Sequence, residues 1–86
     1  MTEQRTGIVI HYWGKVGVAG VKITDGELRV GDTIHVKGHT SDFTQQVESM
    51  QVEGQSVDVV RAGDDVGIKT LEHAREHDEV FKVTPD

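Results

Sequence analysis

The chain has 86 residues, nine basic and fifteen acidic side chains, a formal net charge of -6 and no cysteine. That length holds one domain with a modest core and excludes two. An acidic surface repels phosphate and excludes broad electrostatic binding of duplex DNA; the lack of cysteine excludes disulfides and thiolate metal sites and suits a reducing, cytoplasmic compartment.

The opening residues Met1-Thr2-Glu3-Gln4-Arg5 are polar, so neither a signal peptide nor a membrane span is read there and no membrane partner is expected. Residues 8–13 are β-branched and aromatic and predict a first strand. After a turn at 14–17, residues 18–23 predict a second, with Ala19, Val21 and Ile23 facing the core and Lys22 and Thr24 facing water. Asp25-Gly26 turns the chain into the Leu28 strand, and Gly31-Asp32 turns it again. Residues 33–37 alternate cleanly, with Ile34 and Val36 inward and His35 and Lys37 outward.

Residues 43–52 predict the longest strand of the chain. Their inward parity switches near Ser49-Met50, the pattern of a β-bulge. A turn at 53–55, a short strand at 57–60, a turn at 62–65 and a strand at 66–69 follow. Residues 70–78 are charged, lack an apolar face and read as a loop, and residues 79–83 form the closing strand. Six or seven short strands at near-regular spacing predict an all-β fold, a small closed six- to seven-stranded antiparallel barrel, spanning residues 1–86 as one domain.

The run Gly26-Glu27-Leu28-Arg29-Val30-Gly31-Asp32-Thr33-Ile34 resembles the G-x-L-x-x-G-D-x-I/V segment of the second domain of elongation factor Tu and its relatives. Ala62-Gly63-Asp64-Asp65-Val66-Gly67-Ile68 resembles the later A-G-D-x-V-G-I/L segment, and Val47-Glu48-Ser49-Met50 its V-x-S-M/L stretch. Similar barrels occur as free-standing elongation-factor-like proteins and as a C-terminal appendage of collagenase-like peptidases, which the closing run 78–83 matches best. The resemblance implies a Greek-key barrel of the translation-protein type that binds the aminoacyl end of tRNA or the ribosome. It assigns Gly26, Gly31, Asp32, Gly63, Asp64 and Gly67 to structural turns. No phosphate-binding loop precedes the barrel, so no nucleotide chemistry follows. Residues 51–56 match poorly, so no aminoacyl-pocket residue is carried over. His77 stands where the family has a glycine, and the final turn is expected to differ in shape.

Candidate chemistry is sparse. His73-Ala74-Arg75-Glu76-His77 matches H-x-x-E-H, but a zinc site of that kind needs both histidines on one face of a stable helix. His11, His35 and His39 read as surface residues, and no serine has a neighbouring base. No catalytic residue, cofactor or metal is therefore assigned. The aromatic and basic cluster of His11, Tyr12, Trp13 and Lys15 at the first hairpin is the candidate binding site, a platform for stacking an unpaired base or gripping a peptide. Alternatively, Tyr12 or Trp13 caps the open end of the core. Lys22, Arg29, Lys37 and Lys69 would add a basic rim if they converge. Two functions follow: a non-catalytic module associating with tRNA or the ribosome, or a protein-interaction adaptor, for example the partner of a collagenase-like peptidase.

Overall fold

The computed structural model describes residues 2–85. It is all-β, with ten strands: β1 (Thr2–Trp13), β2 (Val18–Ile23), β3 (Glu27–Arg29), β4 (Thr33–Lys37), β5 (Asp42–Gln46), β6 (Met50–Val52), β7 (Gln55–Val57), β8 (Val59–Arg61), β9 (Asp65–Lys69) and β10 (Glu79–Thr84). Eight form one antiparallel sheet in the order β5-β4-β10-β1-β2-β9-β6-β7, and β3 pairs with β8 in a second.

The alternation in β2 and β4 is as expected. Ala19, Val21, Ile23, Ile34 and Val36 are buried while Lys22, Thr24 and Lys37 are exposed. Val9, Leu28, Met50, Val60, Ile68 and Val80 complete the same cluster. Each such side chain contributes about 1.5–3 kcal/mol by leaving water.

The strands differ from the expected six or seven in three ways, one of length and two of number. Residues 2–5 are polar, yet they extend β1 because their backbone pairs with β10, from Thr2↔Thr84 to Arg5↔Phe81. Asp58 separates β7 from β8. The long run 43–52 breaks instead of bulging. Phe43, Gln45 and Val47 point inward and so does Met50, so residues 47–49 shift the phase by leaving the ladder.

That break governs the shape. β5 and β6 are consecutive in the chain but lie first and seventh in the sheet order, joined by three residues. The sheet must therefore curl around the core, bringing β5 and β6 within three residues of each other. Val47 fixes one side of the join, its N–H donating to the Asp32 carbonyl and its carbonyl accepting from Gly31 N–H, both at 2.8 Å. Among the described residues no strand pairing joins β5 to β7 or β9. Instead the Gln45 side chain, 7% exposed, spans the gap. Its Nε2 donates to the Lys69 carbonyl at 2.9 Å and its Oε1 accepts from Leu71 N–H at 2.7 Å.

One turn geometry occurs three times. In Arg29-Val30-Gly31-Asp32, Arg61-Ala62-Gly63-Asp64 and Arg75-Glu76-His77-Asp78, the aspartate carboxylate accepts from the arginine N–H, at 2.8, 2.9 and 2.8 Å. The third residue is left-handed each time, with φ of 98°, 99° and 76°. The final turn therefore keeps the glycine backbone shape with a histidine in it, contrary to the expected change of form.

Candidate functional site

β1 carries a register shift between Val9 and His11 where it pairs with β2. The extra residue is Ile10, and it resets the alternation along the strand end. Val9 faces the core, Ile10 and His11 face out, Tyr12 turns inward and Trp13 faces out. The cluster expected at this hairpin is thus divided between two faces. Tyr12 packs against the core and meets His73 of the 70–78 loop edge-on, ring centroids 4.3 Å apart. His11 and Trp13 stay together, edge to face at 4.5 Å. Lys15 is exposed in the turn that follows, whose Gly17 N–H donates to the Trp13 carbonyl at 2.9 Å.

Trp13 is 48% exposed, and its ring lies across β2 over Gly20. A Cβ on Gly20 would meet two ring carbons at 3.0 and 3.1 Å, so glycine is what lets the indole approach the sheet this closely. Gly20 faces Gly67 across the β2–β9 ladder. Gly67, expected in a turn, lies mid-strand. Gly20 is covered by the indole, and Gly67 beside it contributes backbone to the floor of a groove of about 380 Å³. Trp13, Ile10 and Val16 form its apolar side, the last two 48% and 61% exposed. Gln51 and the Glu53-Gly54 turn form the other side. That volume falls within the range of pockets that hold small ligands, about 300–1,000 Å³.

The groove is lined by two carboxylates, Glu53 and Asp65, and by no lysine or arginine. Lys22 reaches Asp65 at 3.5 Å and Arg29 reaches Glu27 at 3.1 Å. Two members of the expected basic rim are therefore answered by carboxylates. Arg5 with Glu79 and Lys82 with Asp32, each at 3.3 Å, do the same elsewhere. A second concavity lies between His39-Thr40 and the 75–78 turn, and every residue lining it is polar or charged.

The H-x-x-E-H segment is loop and turn, so it lacks the helical face that a zinc site of that pattern requires. His73 is engaged with Tyr12, and no group of three ligand-type side chains able to hold a metal is found among the described residues. His35 departs from the expected free surface histidine, its side chain being only 15% exposed. Nδ1 lies 3.0 Å from Glu3 and Nε2 2.5 Å from Asp42, and these carboxylates, Asp42 foremost, hold its pKa above the ordinary value. In return the imidazole lowers the pKa of Asp42. Sequence reasoning missed this clamp because Glu3 is 32 residues away.

Residues 17–77 match the elongation factor Tu domain 2 family. The chain is 34% identical over 76 residues to an uncharacterised protease of Methanocaldococcus jannaschii, covering 87% of this chain and 18% of that protein. It is 34% identical over 84 residues to a collagenase of Porphyromonas gingivalis, covering 94% and 23%. The chain thus spans about a fifth of the length of the curated relatives it matches. Among solved structures, the C-terminal domain of a Geobacillus thermoleovorans protein assigned to the U32 peptidases superposes with a TM-score of 0.87 at 25% identity, covering 94% of this chain and 93% of that one. GDP-bound aIF5B from Aeropyrum pernix shares the fold, with a TM-score of 0.78 at 22% identity over 98% of this chain and 17% of that one.

Proposed function

The chain belongs to the elongation factor Tu domain 2 family, and from that premise we infer a non-catalytic binding module that docks a protein partner and works beside a collagenase-like peptidase. The curled sheet and its two-stranded companion are read as one Greek-key barrel domain of the translation-protein type. The observation that carries the protein-binding reading is the groove beside Trp13, which has exposed apolar walls, a backbone floor and carboxylates as its only charged lining. Exposed apolar surface rimmed by polar groups suits a polypeptide, whereas carboxylates in the groove oppose a phosphate backbone. Likeness to peptidase relatives supports the choice of partner.

A second reading, association with RNA or the ribosome, rests on the His11–Trp13 pair beside Lys15, a surface on which a base can stack. The two are separated by mixing the purified chain with a collagenase-like peptidase from the same cells and, separately, with single-stranded RNA over a range of salt. A complex with the peptidase and none with RNA supports the protein-binding reading. Tight RNA binding that weakens steeply with salt overturns it, because that slope is the signature of released counterions.

A further inference from the structure

We propose that the groove beside Trp13 receives a polypeptide segment in which an apolar side chain is followed by a lysine or arginine; this rests on the protein-binding reading above. The apolar half of the recognition is supplied by Ile10, Trp13 and Val16. All three are exposed, and they wall a groove whose floor includes Gly67, which brings no side chain of its own to obstruct an entering group. The basic half follows from charge complementarity. Asp65 is shared with Lys22 at 3.5 Å. Glu53 has no side-chain hydrogen bond or ion pair among the described residues, so its charge is free to meet a partner. Glu53 also holds a left-handed backbone, φ 51°, at the first position of the two-residue turn between β6 and β7. Asparagine and glycine fit that position better. A carboxylate held there against local preference, at the lip of an apolar groove, fits recognition better than folding.

The protein has a single tryptophan, and it stands in the groove, so its emission reports occupancy directly. The probes are two capped peptides, Gly-Ser-Leu-Lys-Lys-Gly-Ser and Gly-Ser-Leu-Glu-Glu-Gly-Ser, each carrying a dye distant in emission from tryptophan. The lysine peptide should shift Trp13 emission to the blue, saturably, and bind at least about fivefold more tightly than the glutamate peptide. Added salt and Glu53→Gln should both shrink that difference to about twofold or less, with the far-ultraviolet spectrum of the variant unchanged. Equal binding of the two peptides overturns the proposal. So does peptide binding seen by dye anisotropy with Trp13 emission unmoved, although the protein-binding reading then stands. No response to either peptide at millimolar concentration removes the groove as a peptide site. If oligouridine then shifts Trp13 emission, the protein-binding reading falls as well.

Discussion

Gln45 is the residue on which the curl of the sheet can be tested. Gln45→Met keeps the length and buried position of the side chain but removes both hydrogen bonds across the seam, at 2.9 Å to Lys69 and 2.7 Å from Leu71. Each buried partner left unsatisfied costs about 1–3 kcal/mol. Leu71 is exposed and water can reach its amide, so the low end applies to each and the sum is about 2 kcal/mol. In a domain of this size 1 kcal/mol moves the melting temperature by roughly 4–8 °C, so the variant should melt about 8–16 °C lower by calorimetry. Hydrogen exchange at the Leu71 amide should quicken at the same time, because the seam opens locally before the sheet unfolds. Gln46→Met is the control. Its side chain is exposed on the opposite face, and it should stay within about 0.5 kcal/mol of the parent. A Gln45→Met protein melting within about 2 °C of the parent, with Leu71 exchange unchanged, would refute the claim that this side chain ties β5 to the end of β9.

His77→Gly should stabilise the protein by about 0.5–1 kcal/mol, read as a higher urea midpoint, because it relieves a left-handed histidine in a turn whose two counterparts carry glycine. An unchanged or lower midpoint would mean that the imidazole contributes more than its backbone costs. The His35 clamp makes stability depend on pH. A histidine whose pKa is raised on folding contributes fully below its unfolded value of 6.5 and loses that contribution as pH rises through the folded value. Asp42, lowered on folding, contributes above 3.8 and loses its share as pH falls through its folded value. The melting temperature should therefore decline from pH 6.5 into the alkaline range, and His35→Gln should flatten that decline; equal slopes in the two proteins would exclude the clamp as its source.

The short strands were legible because their periodicity is local. Residues 18–23 show their faces without reference to anything else, and the structure buries Ala19, Val21 and Ile23 and exposes Lys22 as expected. Features that depend on distant pairing were not. Thr2, Glu3 and Gln4 carry no apolar signal and become strand only because β10 lies alongside. The 43–52 run has the right parity switch, but whether the chain bulges or breaks there depends on where β9 stands to receive Met50. The candidate site divided along the same line. His11, Tyr12, Trp13 and Lys15 are neighbours in sequence, yet Tyr12 and Trp13 alternate to opposite faces, and one inserted residue at Ile10 decides that Tyr12 is the one turned inward. The residues that complete the groove, Gln51, Glu53 and Gly67, lie about 40–55 positions further on.

The position of β10 between β4 and β1 has a consequence for how the molecule comes into being. It is the last of the ten described strands to leave a ribosome, and its place is interior. Until it arrives, β4 with β5 and β1 with its other neighbours are two fragments, each showing an unsatisfied edge to the cell. Pairings as remote in sequence as Thr2↔Thr84 are slow to form, since loop closure must precede any return from contact. A nascent chain stalled before residue 79 therefore holds two open edges with nothing to join them, a ready target for chaperone or protease. Arrival of β10 works as a keystone, joining two adhesive halves into one continuous sheet.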